Sequence, residues 1–278
     1  GTVMKKLIIA LAVFGLIVGA TRLANADPAT DLRAFQRYFK EKFPAVPFDD
    51  FANGIYALSV AKDLRKAWEQ TMESPPYKAE LEKGKIFWEQ NELSSCFKNR
   101  GRNIAQHYPY WDKKTKMVRT IVLDINECLK RKGKEPIKDL QQGTMAQVVA
   151  YMKSLSHGQR IRLNLSSPAA IEAYEEGKRF YWARRGQLNF SCASCHVDFA
   201  GMSIAGNLLS PGLGHGVGFP AHRVKWDGLG TLHRRYAGCN SQVRAAPFKP
   251  QSRQYRHLEL YETYMQTGLP LIAPSHRF

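Results

Sequence analysis

The sequence has little cysteine, few acids and almost no long apolar stretch. Five cysteines in 278 residues are too few for a small fold held together by disulfides. Asp and Glu total 24 against 41 Lys and Arg, a formal net charge of +17. Past residue 20 no long apolar run occurs, which excludes a multi-pass membrane protein. At 44% hydrophobic and 23% charged residues, wholesale disorder and a collagen-like chain are excluded as well. The length fits one or two domains, each able to bury a core. Two features call for an account: the basic excess and the odd number of cysteines.

The start of the chain reads Met4-Lys5-Lys6, an apolar run from Leu7 to Ala20, then Thr21-Arg22-Leu23-Ala24-Asn25-Ala26. A short basic region, an apolar core and a small-x-small ending are the parts of a secretory signal, so residues 1–26 are expected to be removed after Ala26. The apolar run is shorter than the roughly 20 residues that a membrane anchor needs. The remaining chain keeps a strong basic excess and is expected to stand free of the membrane. A signal of bacterial type predicts the periplasm, where disulfides persist.

Ser191-Cys192-Ala193-Ser194-Cys195-His196 contains C-x-x-C-H, the attachment motif of a c-type haem. Two thiols add across the vinyl groups on one haem edge, and the adjoining histidine reaches the iron. A redox C-x-x-C would not require the histidine, and zinc would require a second cysteine pair. The motif therefore predicts one covalently attached haem c, with thioethers from Cys192 and Cys195 and His196 as the proximal ligand.

Landmarks recur along the chain. Gly84-Lys85-Ile86-Phe87 returns as Gly177-Lys178-Arg179-Phe180. Cys128 stands eight residues before Pro136 and Cys239 eight before Pro247, while Tyr151 and Tyr261 each lie seven before a glycine. Shared order predicts two copies of one small unit. Thr144-Met145-Ala146-Gln147 has the form of a capping box, with Gly158 as the stop. Ser167-Pro168 opens a helix running to about Arg185, and a last helix covers Ser252 to Gln266. One or two amphipathic helices are expected between Asp27 and Met72. Helix, haem motif, long loop and terminal helix is a c-type cytochrome layout. The expected fold is mainly α, with two tandem cytochrome c-like domains: an N-terminal extension and haem-free domain at 27–162, and a haem-binding domain at 163–278.

The first copy keeps one cysteine of the motif, Cys96, and no histidine follows it. Cys96 and Cys128 are then free to pair in an oxidising compartment, the alternative being two buried thiols. Cys239 remains. It follows His196 by 43 residues, past a loop with eight glycines from Gly206 to Gly238, where a c-type cytochrome brings its second axial ligand over the haem. Met202, Met265, His215, His222 and His233 are the other candidates. A thiolate there lowers the iron's potential. Basic residues gather beside it in sequence: His222, Arg223 and Lys225, then His233, Arg234, Arg235, Arg244 and Lys249. Such a group suits a small oxyanion, because the guanidinium fork matches its oxygens. No nucleic-acid motif is present.

The run Phe219-Pro220-Ala221-His222-Arg223-Val224-Lys225-Trp226, with Gly230-Thr231-Leu232-His233-Arg234-Arg235-Tyr236-Ala237-Gly238-Cys239 and Val243-Arg244-Ala245-Ala246-Pro247-Phe248, resembles the SoxA family. These are the larger cytochrome subunits of SoxAX complexes in sulfur-oxidising bacteria. The resemblance implies an L-cysteine S-thiosulfotransferase that joins thiosulfate oxidatively to a cysteine of the carrier SoxY, within SoxYZ. It implies a heterodimer with a small SoxX-type cytochrome and a soluble cytochrome c as acceptor. It further implies that Cys239 is the distal iron ligand and a catalytic persulfide, and that Arg235 binds substrate. Many relatives carry a second haem in the first domain; this sequence resembles the mono-haem branch, with a Cys96–Cys128 disulfide in that place. The alternatives are a plain electron-transfer cytochrome and a thiosulfate dehydrogenase.

Overall fold

The computed structural model describes residues 27–278. The expected signal segment lies outside the described residues. Among those described, no helix is long and apolar enough to cross a membrane.

Helices α1 (Pro28–Lys42), α2 (Lys62–Met72), α3 (Lys78–Gln90), α4 (Ile121–Arg131), α5 (Gly143–Ser154), α6 (Pro168–Trp182), α7 (Leu232–Gln242) and α8 (Arg253–Met265) dominate the architecture. Strands are short. A hairpin joins β1 (Tyr110–Asp112) to β2 (Met117–Arg119), and another joins β3 (Ser203–Ile204) to β4 (Asn207–Leu208). A three-stranded sheet sets β5 (Ala221–Arg223) between antiparallel β6 (Gly228–Gly230) and parallel β7 (Ser275–Arg277).

Helix starts follow local chemistry in several places. Ser167 caps α6 by accepting from the Ala170 N–H, with Pro168 at the first position. Ser252 caps α8 and Thr120 caps α4 in the same way, each satisfying an otherwise unpaired amide. The Thr144 capping box does not form. Helix α5 begins at Gly143, two residues before a Thr144 cap would start it, and its Gln142 cap makes no side-chain bond. A bridge from Gln142 to Gly230 and a bond from the Thr231 N–H to the Gln141 carbonyl fix the entry instead. Gly158 is not the stop either: α5 ends at Ser154, and the Gly158 N–H donates to Leu271 O.

Two helix crossings repeat one device. Helix α3 packs on α5 at Gly84, where a Cβ would lie 2.1 Å from the Gln147 carbonyl oxygen. Helix α6 packs on α8 at Gly177, where a Cβ would lie 2.0 Å from the His257 carbonyl oxygen. One turn further on, Trp88 meets Tyr151 and Tyr181 meets Tyr261, with ring centroids 6.0 and 5.3 Å apart. One apolar core takes in both pairs, from Trp88 and Met145 to Tyr181 and Leu258. Gly84→Ala or Gly177→Ala is expected to destabilise the chain by about 3 kcal/mol through overpacking against backbone. Urea denaturation midpoints check this, and unchanged midpoints would contradict the close crossing.

Cys96 and Cys128 form a disulfide with Cα atoms 5.8 Å apart and a sequence separation of 32. It ties the turn after α3 to the buried face of α4. Closing a loop of that span stabilises by about 3–4 kcal/mol. Replacing both cysteines with serine is expected to lower the unfolding free energy by that amount, read from denaturant curves.

Candidate functional site

The segment after α6 builds the site. Arg185 bridges Phe190, and the next residues enter the motif. Ser191 and Ser194 exchange bonds: the Ser194 N–H donates to Ser191 Oγ at 2.9 Å, and the Ser191 N–H to Ser194 Oγ at 3.1 Å. This reciprocal pair tightens the chain into a π-helical turn, Ser194–Asp198, that presents Cys195 and His196 beside Cys192.

His196 is buried, and its Nδ1–H donates to the Ser210 carbonyl at 2.9 Å. That bond leaves the Nε2 lone pair free, the tautomer a metal-ligating histidine requires. The Gly212 N–H donates to the His196 carbonyl at 2.6 Å. A Cβ on Gly212 would lie 2.7 Å from Tyr181 Oη, so the loop passes over the motif only with glycine there.

Cys192, Cys195 and Cys239 are free thiols, each half-buried. Burial pushes the Cys192 thiol well above its ordinary range, the Cys239 thiol adding and Arg185 opposing. Cys195 rises for the same two reasons, with Arg235 opposing. Both motif thiols thus feel the Cys239 side chain. Burial pushes the His196 ring down, with the Ser210 bond opposing and Arg235 adding.

Arg235 and Cys239 lie one turn apart on α7 and so share a face. The Arg235 charge reaches Cys195 and His196. Burial holds the Arg223 guanidinium down at about 10, with Arg235 adding and Cys239 opposing. Lys225 is lowered by burial and then by Arg223 and Arg235. Arg223 and Lys225 thus each feel both Arg235 and Cys239.

Other members of the basic run stand elsewhere. His233 is buried in the core, its Nδ1 accepting from the Gln251 N–H at 2.9 Å and its Nε2 3.6 Å from Glu259. Arg234 lies over the Trp226 ring, 4.4 Å from its centroid. Arg244 occupies the turn after α7 with φ 57°, and Lys249 precedes α8. His222 pairs with His276, their Nδ1 atoms 3.1 Å apart. The His215 ring stacks on that of His196, centroids 4.0 Å apart and planes at 21°. A ring on the face of His196 cannot approach an iron from the side opposite it. Met202 is 57% exposed, and Met265 is buried in the core.

These residues fit a haem c. Two thiols adjoin a histidine whose Nε2 is free, and a third free thiol, Cys239, acts on both of them. Buried Tyr181 Oη, Arg185 Nε and Arg223 Nη1 have no hydrogen-bond partner, an unmet polar demand that marks room for a polar group. Among the described residues no three His, Cys, Asp or Glu gather to hold a bare ion; a haem would bring iron-binding nitrogens of its own and need fewer side chains.

Two groups beside the site escaped the sequence reading. Glu262 is buried 3.6 Å from His215 Nδ1, and burial pushes its carboxyl up to about 8. Arg277 is carried in by β7, beside Arg223. Glu262 sits in an unremarkable stretch of α8 and Arg277 is the next-to-last residue, so neither carried a motif or a spacing to flag it.

Comparison with known proteins bears on this arrangement. Residues 83–161 match the family model of the SoxA/TsdA cytochrome c domain. That match covers the α3–α5 half, which lacks the haem motif. The chain is 44% identical over 252 residues to the L-cysteine S-thiosulfotransferase subunit SoxA of Chlorobaculum tepidum, covering 89% of this chain and 87% of that protein. It is 42% identical over 273 residues to the same subunit of Allochromatium vinosum, covering 94% and 96%. The crystal structure of SoxXA from P. pantotrophus superposes with a TM-score of 0.69 at 27% identity, covering 77% of this chain and 84% of that one.

Proposed function

Because this chain belongs to the SoxA family of L-cysteine S-thiosulfotransferase subunits, we propose that Cys239 and Arg235 are the catalytic and substrate-binding residues of a thiosulfate-conjugating site. The observation that carries the reading is their spacing: one turn of α7 sets both beside the Cys192, Cys195 and His196 group.

The chain is a c-type cytochrome subunit. In this reading Cys192 and Cys195 would attach one haem c, and His196 and Cys239 would bind its iron. When bound, the haem supplies a one-electron acceptor beside the Cys239 sulfur. The positions of His215, His222 and His233 support Cys239 over those histidines as the distal ligand, and a plain electron-transfer site would gain nothing from a thiolate flanked by three cations. The α3–α5 pair is the haem-free cytochrome-like domain within 27–162. The α6–α8 pair belongs to the haem domain, 163–278.

The substrates are thiosulfate and the carrier cysteine of a SoxY-type protein within SoxYZ. Arg235 holds the sulfonate oxygens by its fork of donors, and Arg223 and Lys225 draw the dianion inward. Cys239 carries a persulfide sulfur, a reversible state of a thiolate, through which the new bond is made by exchange at sulfur. In the balanced reaction one thiol and one thiosulfate give an S–S bond, two electrons and one proton. The small SoxX-type subunit and a soluble cytochrome c are the onward acceptors, in the periplasm. With partner subunit and carrier both present, thiosulfate is expected to reduce the haem. Reduction that proceeds equally without the carrier would overturn the transferase reading.

A further inference from the structure

The first turn of α7 is held from outside the helix. Its Thr231 cap makes no side-chain bond to the helix amides. The Thr231 N–H and hydroxyl donate instead to the Gln141 and Leu140 carbonyls, at 2.9 and 3.1 Å. His233 follows, 1% exposed. Its Nδ1 accepts from the Gln251 N–H at 2.9 Å, and burial holds the ring down at about 3, with Arg256 and Lys153 adding. The ring is therefore neutral, with its one proton on Nε2. That Nε2 is buried and has no hydrogen-bond partner. A Glu259 carboxylate oxygen stands 3.6 Å away, too far for a direct bond. A buried donor left unmet is costly, and a gap of this width between polar groups is where a bridging water sits.

The fold leaves room for one. Lys153 of α5, His233 of α7 and Glu259 of α8 line a cavity of about 50 Å³, where one water needs about 10–15 Å³. Lys153 Nζ donates to the Phe219 carbonyl at 2.8 Å and keeps two further protons. Burial pushes the Glu259 carboxyl up to about 7, with Lys153 opposing. Donors on two walls and an acceptor on the third suit water, and the space is too small for an organic ligand. We propose that an ordered water in this cavity accepts from His233 Nε2–H and donates to Glu259, and that the bridge makes both side chains positioning residues for Arg235 and Cys239. The inference rests on the thiosulfate reading of α7. His233 lies two residues before Arg235 on that helix, so a bridge to α8 fixes the rotation of α7 about its own axis. Side chains reach about 5–6 Å from a helix axis, so a rotation of about 10° moves them by about 1 Å. A shift of that size at a reacting group costs up to about a hundredfold in rate.

The test uses the full-length holoprotein with its partner subunit. A high-resolution crystal structure of the native complex is expected to show a water within about 3.2 Å of both His233 Nε2 and the Glu259 carboxylate. A dry cavity, or a water that reaches only one of them, overturns the bridge, and this result needs no variant. Glu259→Gln keeps an acceptor for the water, whereas Glu259→Leu keeps the bulk and removes it. With haem content matched by pyridine haemochrome, the leucine variant is expected to lower kcat/KM for thiosulfate conjugation about tenfold, and the glutamine variant to stay within about threefold of native. A leucine variant at the native rate, or two variants equally impaired, overturns the positioning role. A native complex that leaves the carrier unmodified overturns the thiosulfate reading underneath, whereas a dry cavity in a working native complex overturns the bridge alone.

Discussion

Cys239→Met is expected to retain covalent haem and to lose thiosulfate conjugation by at least about a thousandfold. Cys96 and Cys128 are joined to each other, leaving Cys192, Cys195 and Cys239 as free thiols. Once the first two carry the haem, Cys239 is the one sulfur in the chain able to hold a further sulfur atom. A methionine thioether can occupy an axial position but cannot form a persulfide or exchange an S–S bond. The variant should therefore separate the two roles: the absorption spectrum changes with the ligand and the potential rises as the thiolate is lost, while transfer stops. Attachment is read from the pyridine haemochrome and transfer from the rate of carrier modification. A variant transferring at the native rate would remove Cys239 from the chemistry.

Arg235→Ala is expected to reduce kcat/KM for thiosulfate by about a hundredfold, mainly through KM, since breaking one side of a desolvated charged pair costs about 2–5 kcal/mol. Arg235→Lys should recover only part of the loss, because a point charge replaces a two-pronged donor. The prediction follows from the helix. One turn separates Arg235 from Cys239, and the Arg235 charge already acts on Cys195 and His196. Steady-state kinetics at fixed ionic strength decide it. An unchanged KM would move the sulfonate site to another cation.

The parts of this molecule legible in its sequence are those governed by neighbours along the chain. Ser167-Pro168 and Ser252 mark helix starts because a cap acts over three residues. C-x-x-C-H states its chemistry within a single turn. The recurrence of Gly84 as Gly177 predicts two copies of one unit, and both glycines are where helix backbones touch. What long-range pairing decides was not legible. The Thr144 cap yields to a bridge with Gly230, 88 residues from Gln142. His215, His222 and His233 look equivalent in sequence, yet one stacks on His196, one pairs with His276 and one enters the core. Arg277 comes to the site only because the chain end adds a parallel strand beside β5. The basic run around Cys239 divides for the same reason: Arg235 shares a face of α7 with Cys239, Arg223 and Lys225 feel the Cys239 charge from β5 and the turn after it, and His233 enters the core.

The most direct test of the account is mass spectrometry of the carrier protein after incubation with thiosulfate, an oxidised acceptor cytochrome and the complex containing this chain. The account predicts one thiosulfate on the carrier cysteine with the native chain and an unmodified carrier with Cys239→Met. Equal modification in both samples, or none with the fully haem-loaded native complex, would contradict it.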